Sequence, residues 1–596
     1  MKRLFYFIIL FLFLCVPIQA FGYTELHYVT QGGAGSKTGR SLANAWALSN
    51  FHNTSNWSTS NAADSKIGPD DVVYLSGNFT DRVYVTRGGS SSGSITLDGY
   101  AAGECNPLNA VCTGSADLKK GLEVGDSSVA PDYLTIQDFR MTRNETKSDS
   151  CLRLYSSAGD IDRIIVRRNY IYQTNGNMFY YYGGKNSVIE DNKFVHFGQN
   201  NIDATQGVNF IDVRNSLISS NEFGHDEDLY PSGCTSANII EVHGCHYLLF
   251  EYNNIYGAPN GGNLVPKEAY GGNTNIVIRF NKVHKSLGRP TGSGGIGVYF
   301  RTSEDEENIN FYVYGNLVYN NYNGIALGDV MNTLYIWSNI IHSSLRTGMF
   351  TWRFNIDGMH IYNNTIAYNN TLGDTDLTRG GISLSAYNST YYIKNNILWN
   401  NHPGGEANRK QIYAGVTINS LEHNTYYHSS GTPYVYYSGG YRTIQTLQST
   451  YGFENDSPVG AIRDSVFVDP NGADNVYGTS DDNYKLQSTS PERGSGATLS
   501  GSFSVNLSGG DSWFEAQTGY STLSFGLDDG LDPNLTDWTT NPPTVVTTKQ
   551  GDHGVGWERG AYVYPEGEEE EDLIKPGIIF MMELEQDDKN LLSWRR

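Results

Sequence analysis

The 596-residue sequence predicts an all-β solenoid. Two observations carry this expectation. First, ten copies of one pattern, Asn, any residue, then a large apolar residue, return along the chain. They are Asn169/Ile171, Asn192/Phe194, Asn221/Phe223, Asn253/Ile255, Asn281/Val283, Asn316/Val318, Asn339/Ile341, Asn364/Ile366, Asn396/Leu398 and Asn424/Tyr426. The steps run from 23 residues (Asn169 to Asn192) to 35 (Asn281 to Asn316), and self-similarity at such a period marks a repeat architecture. Asp138/Arg140 reads as a degenerate earlier copy. Second, short apolar runs such as Ile164-Ile165-Val166, Ile276-Val277-Ile278 and Leu334-Tyr335-Ile336 precede the asparagines, with Gly/Asn/Asp clusters between units. That is strand and turn chemistry, and no sustained 3.6-residue apolar period appears beyond the N-terminus.

The elements follow in order. Met1 to Gly22 reads as a secretory signal: Lys2-Arg3, an apolar run from Leu4 to Val16, and small residues at Ala20 and Gly22. Residues 23–130 form an N-terminal cap with the first coils. This region opens on a strand at Leu26 to Thr30, and a short helix over Ala43 to Phe51 is expected to cover the open end. Residues 131–427 are the coils. Stacked asparagines hydrogen-bond up and down the stack, so the ladder is structural. Residues 428–565 are C-terminal coils and a closing segment, and 566–596 an acidic tail that includes Glu568 to Glu571. A solenoid tolerates this length because each coil packs only on its neighbours.

Composition narrows function. A net charge of -22 argues against nucleic acid, which requires a basic footprint. No later stretch is long and apolar enough for a membrane helix. The signal places the protein outside the cytoplasm, in the periplasm, outside the cell or at its surface. There the close pairs Cys105/Cys112 and Cys234/Cys245 are free to bridge, and Cys151 is expected to be a buried thiol.

The chain resembles the pectate-lyase-like, right-handed parallel β-helix superfamily. The resemblance rests on His27-Tyr28-Val29-Thr30 with Gly32 to Gly39 and Pro69 to Gly77, on the Asn ladder, and on the closing Arg559-Gly560-Ala561-Tyr562-Val563-Tyr564. It implies a right-handed parallel β-helix and leaves activity open, since fold does not fix function.

In such a fold equivalent positions of successive coils stack about 4.8 Å apart. Asp212, Glu241, Lys267 and Arg301 fall on four consecutive coils. Carboxylate, carboxylate, ammonium and guanidinium in one groove suit β-elimination on an acidic polysaccharide. Lys267 would take the C5 proton of a uronate, and Arg301 would stabilise charge building on its carboxylate. His243 is an auxiliary candidate. Tyr299, Trp352 and Arg353 are expected to contact the polymer. Lys267 and Arg301 further resemble the Lys and Arg pair of the chondroitinase B and alginate lyase family, although the segments that follow each residue do not match that family. Two other readings stand beside this one. Paired carboxylates such as Asp212 and Glu241 would serve a glycoside hydrolase. A face of aromatics, including Tyr180 to Tyr182 and Tyr391-Tyr392, would bind glycans without cleaving them. Asp469, Asp474, Asp481 and Asp482 form an acidic, turn-rich stretch of a type that holds Ca²⁺.

Overall fold

The computed structural model describes residues 24–564, except 62–64, 100–114, 144–149, 175, 198–206, 226–237, 259–260, 268–270, 287–294, 302–307, 329–330, 353–355, 374–375, 377, 387–388, 402–408, 460–465, 480 and 553–555. The signal, Arg353, Cys105, Cys112, Cys234 and the acidic tail lie outside the described residues.

Apolar alternation builds the coils. Along Thr274–Arg279, Ile276 and Ile278 point into the core, and Val277 points outward. The next strand in the chain belongs to a second sheet, the one after it to a third, and the chain then rejoins the first one level up. Thus His246–Glu251, Asn254–Tyr256 and Gly262–Lys267 make one coil, and Thr274–Arg279 begins the next. Three long sheets of 17, 13 and 14 strands result, and the coils within them pair parallel. This is a right-handed parallel β-helix, the handedness that strand twist imposes on parallel crossovers. Its core is a set of in-register columns. One runs Val166, Ile189, Ile218, Phe250, Ile278, Val313, Ile336, Ile361, Ile393 and Leu421. Every member is fully buried, and burial of each stabilises the stack by roughly 1.5–3 kcal/mol.

The repeated asparagine turns the chain from the first sheet to the second. Each Oδ1 accepts the backbone N–H of the preceding ladder residue, from Asn169 on Asn192 through Asn396 on Asn424, at 2.9–3.1 Å. Asn424 has no asparagine after it. Glu454, fully buried, accepts its N–H and Nδ2 instead. The residue before each asparagine is left-handed: Arg168, Asp191, Ser220, Tyr252, Phe280, Ser338, Asn363, Asn395 and His423 have φ between 51° and 59°, and Gly315 has 62°. Such a conformation costs about 1 kcal/mol or more in an L residue, and the side-chain bonds of the asparagine offset it. Asp138 occupies this left-handed position, not the ladder position. The residue in register with Asn169 is Phe139, whose N–H bonds its Oδ1 at 3.2 Å, while Asp138 pairs with Arg168. The repeat therefore starts one residue later than its sequence suggests.

At the N-terminal end Trp46–Ala47 pairs with part of Leu26–Thr30, and the helix Leu48–Phe51 buries Leu48 and Phe51. The helix is confined to four residues, because Trp46 and Ala47 are drawn into the sheet. At the far end the helix Ile444–Thr446 and the turn Leu447–Tyr451 bury Ile444 and Leu447 in the core.

Beyond Arg442 the coils stop, where the sequence reading carried them to 565. The strands Phe467–Asp469 and Asn483–Leu486, Ser502–Asn506 and Thr522–Gly526, and Asp529–Leu531 and Thr547–Lys549 pair antiparallel, two by two, outside the long sheets. Apolar residues of these strands, of the helix Ser512–Thr518 and of the closing segment, among them Phe467, Phe514, Phe525, Leu531 and Trp557, pack on outward residues of the first and second sheets such as Leu217, Val277, Tyr312 and Ile340. Polar ties fasten this strap along the solenoid. Arg279 donates to Tyr520 at 2.9 Å, Ser338 to the Asp529 carbonyl at 2.8 Å, and Arg559 to Thr425 at 3.2 Å. An outer sheet face rich in apolar residues needs such a cover. Among the described residues the third sheet contributes none to this cluster.

Cys245 corrects the expected Cys234/Cys245 bridge. It is a free, fully buried thiol whose N–H bonds Asn273 and whose Sγ donates to the carbonyls of Phe210 and His243. It belongs to a second side-chain ladder, Cys245–Asn273–Asn308. Cys151 is a free buried thiol, as the sequence suggests.

Candidate functional site

The outer face of the third sheet gathers most of the candidate residues. Strand alternation places Glu241 and His243 of Ile240–His243 on that face, and register does the rest. His243 pairs with Lys267, and Lys267 bridges to Arg301. Three basic side chains thus form one column on consecutive coils. The Asn273 side chain holds the Lys267 carbonyl at 3.0 Å, and the Arg301 N–H bonds the Pro266 carbonyl at 2.9 Å.

Glu241 is the hub. Its Oε2 meets His243 Nε2 at 2.9 Å and its Oε1 meets Lys267 Nζ at 3.6 Å. Asn238 donates to the same Oε1 and uses its own Oδ1 to accept the Gly262 N–H at 2.7 Å. Glu241 is 3% exposed and His243 8%, whereas Lys267 is half-buried and Arg301 exposed. Burial alone would raise the Glu241 carboxyl. The His243 hydrogen bond and the Lys267 charge outweigh it and hold the group below its ordinary value. An ionised carboxylate therefore sits beneath the column and fixes the orientation of His243 and Lys267.

Next to the column stands an aromatic group. Tyr299, Ala326 and Phe350 are in register on successive coils. The small residues Ala326 and Gly328 leave a gap into which the rings fold. A Cβ at Gly328 would meet Trp352 at 3.3 Å and Tyr299 at 3.4 Å. Tyr299 and Trp352 have ring centroids 5.3 Å apart, and Phe350 stacks on Trp352 at 4.5 Å. Tyr180 and Tyr182 lie on the same face, but Tyr181 is in the core. Tyr391 is in the core and Tyr392 packs under the strap, so neither is a platform on this face.

Asp212 joins the column through its backbone, its N–H bonding the His243 carbonyl at 2.9 Å. It is left-handed, with φ 51°, in the turn after Val208–Ile211, and its charge acts on His246 and Cys245. Among the described residues no hydrogen bond or ion pair joins it to Glu241. Sequence reading missed Asn238, which positions Glu241. Its only signal was its place three residues ahead.

Three of the four loop carboxylates accept bonds within the loop, and Asp482 also lies 3.4 Å from His342 Nδ1. Thr479 Oγ1 donates to Asp481 at 2.6 Å, the Val476 N–H to Asp474 at 2.8 Å and the Gly478 N–H to Asp482 at 2.7 Å. Asp469 ends the strand Phe467–Asp469. Among the described residues the one group of three metal-type side chains with ligand atoms within 4.8 Å is Glu25, His27 and Asp71. There Arg40 pairs with Glu25 at 2.7 Å, and Asp71 accepts the N–H groups of Glu25 and Gly68, each at 2.8 Å, which ties the first strand to a turn.

No family model matches the chain, and no curated protein matches it. Among solved structures it is similar to the pectate lyase Pel9A, with 11% identity and TM-score 0.36 over 80% of this chain and 92% of that one. It is also similar to the A-module of the mannuronan C-5 epimerase AlgE4 of Azotobacter vinelandii, with 15% identity and TM-score 0.35 over 65% and 91%. A third is XylC in complex with xylose, with 11% identity and TM-score 0.33 over 62% and 75%. At such distance the fold stands on the strand pairing of this chain. What fold and site define together is a parallel β-helix with one sheet face that carries a carboxylate-anchored basic column beside an aromatic group. No helix among the described residues is long and apolar enough to cross a membrane.

Proposed function

We propose that this is a carbohydrate-active β-helix protein that cleaves an acidic polysaccharide by β-elimination on the outer face of the third sheet. The observation that carries the reading is the in-register column His243–Lys267–Arg301 above the Glu241 carboxylate. In this reading Arg301, exposed at the end of the column, binds the uronate carboxylate and stabilises the charge that builds there. Lys267 removes the C5 proton. The C4–O bond breaks as C4=C5 forms, and His243, oriented by Glu241, gives a proton to the departing oxygen. Tyr299 and Trp352 supply apolar faces for a neighbouring sugar ring. The pectate lyase and mannuronan epimerase among similar structures fit a carbohydrate-directed role, and a secreted or periplasmic setting goes with it.

A second reading, glycan binding without cleavage, is favoured by one observation: the Tyr299–Trp352–Phe350 group would be complete without any catalytic residue. A third reading, hydrolysis by Asp212 and Glu241, would require these two carboxylates to flank one glycosidic bond. Product mass separates the three. The protein is incubated with a panel of polyuronates, with and without Ca²⁺, since the 469–482 loop is the proposed site for that ion. Fragments lighter by one water than hydrolysis products support the lyase. Hydrated fragments sink it, and an intact polymer that is nonetheless bound leaves the binding protein.

A further inference from the structure

Some distance along the same face lies a cavity of about 800 Å³ lined in part by Arg82, Lys120, Arg143, Arg153, Asp81 and Glu123. That volume is in the range of small-molecule sites. Four cations face two carboxylates, in a chain whose net charge is -22. His52, also in the wall, adds no charge at neutral pH. Its Nε2 accepts the Tyr84 N–H at 3.1 Å, and burial lowers its pKa. The cations are held in place. Glu123 is shared by Arg82 at 3.2 Å and Arg153 at 3.0 Å. Arg143 donates to the carbonyls of Lys120 and Ser150 at 3.3 Å each. Arg82 and Arg143 are 9% and 5% exposed, so the cavity has low-dielectric walls that strengthen the field of its charges.

The cavity and the candidate site share one register line of the third sheet. Glu123, Arg153, Tyr180, Asn209 and Glu241 follow one another in register. From Arg153 to Glu241 is three coil steps, or about 14 Å. Beside this line Tyr155, on the Arg153 strand, and Tyr182, one coil on, have ring centroids 5.5 Å apart, and the Arg153 guanidinium sits 4.4 Å over Tyr155. A polymer laid along the sheet axis would pass both tyrosines and reach both ends.

We propose that this cavity is a remote subsite that takes the carboxylate-bearing sugars of an acidic polysaccharide while the same chain occupies the Glu241–Lys267 site. The inference rests on the reading of the substrate as an acidic polysaccharide, not on the chemistry at Lys267. It makes affinity depend on length: an oligosaccharide too short to cover about 14 Å cannot use both sites at once.

The test is calorimetric binding of a uronate disaccharide and a uronate decasaccharide to the full chain and to a Lys120→Gln/Arg153→Gln variant. The expected result is tenfold or greater weakening for the decasaccharide, with a shallower salt dependence, since two cations are gone. Arg153→Lys, which keeps the charge, retains most of the affinity, and Asp81→Asn, which removes an opposing charge, tightens it. Unchanged circular dichroism of the variants shows that they fold; should the double variant not fold, Asp81→Asn alone decides by whether it tightens. Equal decasaccharide affinity in wild type and the double variant overturns the proposal, as does a wild type that binds no decasaccharide. A wild type that binds through this cavity yet forms no unsaturated product would upset the lyase reading and leave the subsite standing.

Discussion

Replacing Asn281 by alanine tests what holds the coils in register. The side chain is fully buried and makes five hydrogen-bond contacts, three of which share the two Nδ2 hydrogens. Its Nδ2 donates to the carbonyls of Phe250 at 2.9 Å and Arg279 at 2.8 Å and to Asn316 Oδ1 at 3.0 Å. Its Oδ1 accepts Asn253 N at 3.0 Å and Asn253 Nδ2 at 2.9 Å. Each bond contributes about 1 kcal/mol net, and a donor left buried without a partner costs about 1–3 kcal/mol. The Asn253 N–H is such a donor once Asn281 is truncated. Because the bonds are coupled, the sum is an upper bound, and the expected cost is about 3–5 kcal/mol. Asn281→Asp costs more, since it keeps the acceptor but aims a buried charge at two carbonyls. As a control, Asn310, half-buried in the strand Ile309–Tyr314 with its Nδ2 3.2 Å from Asn275 and a left-handed φ of 56°, costs about 1–2 kcal/mol as alanine. Guanidinium unfolding followed by circular dichroism reads the midpoints. A repeat array can lose two-state behaviour, in which case the earliest phase is compared. An Asn281→Ala midpoint within about 0.5 kcal/mol of wild type, the range of surface changes, would refute the structural reading of the ladder.

Three further outcomes follow from the geometry. Glu251→Ala leaves the Arg279 guanidinium buried beneath the strap without its 2.6 Å partner, and should cost about 3–5 kcal/mol, while Glu251→Leu with Arg279→Met is much milder; equal unfolding midpoints for the two variants would contradict this. Burial pushes the Glu558 carboxyl from 4.5 to about 7. Its contribution is present in full below pH 4.5 and is lost as pH rises through 7, about 3 kcal/mol in all. The stability difference between wild type and Glu558→Gln should therefore shift by that amount between pH 4 and pH 8, and a constant difference would show that strap docking does not depend on this group. Tyr299→Ala should weaken glycan binding up to about tenfold, since an aromatic contact contributes about 0.5–1.5 kcal/mol. Calorimetry with an acidic oligosaccharide reads it, and unchanged affinity would remove Tyr299 from the site.

The coils were legible because one side chain does the same work on every level. Asn169 through Asn424 recur for a hydrogen-bonding reason that leaves a residue pattern. The residues before them left none. Arg168, Tyr252 and Phe280 are left-handed despite side chains that disfavour it, because the ladder imposes the turn, and this is why Asp138 was placed one position off. That Glu241, Lys267 and Arg301 fall on consecutive coils followed from their order in the chain. Loop lengths hid the register, which puts His243 and not Glu241 opposite Lys267. The strap was illegible for a different reason. Its strands pair locally, and their apolar residues complement the outer face of a solenoid that only the fold creates. The same cover explains why Tyr392 is no platform, and an interior column claims Tyr391. Cys245 near Cys234 looked like half a bridge, but inside the coil its sulfur replaces a ladder asparagine.

The most direct test of the central claim is the rate at which absorbance of the unsaturated uronate product rises with wild type and with Lys267→Met, each at a polyuronate concentration that saturates binding. The account predicts a steady rise with wild type and none with Lys267→Met, which still binds the polymer. An undiminished rise in Lys267→Met, or a wild type that binds polyuronates and yields no such product, would contradict it.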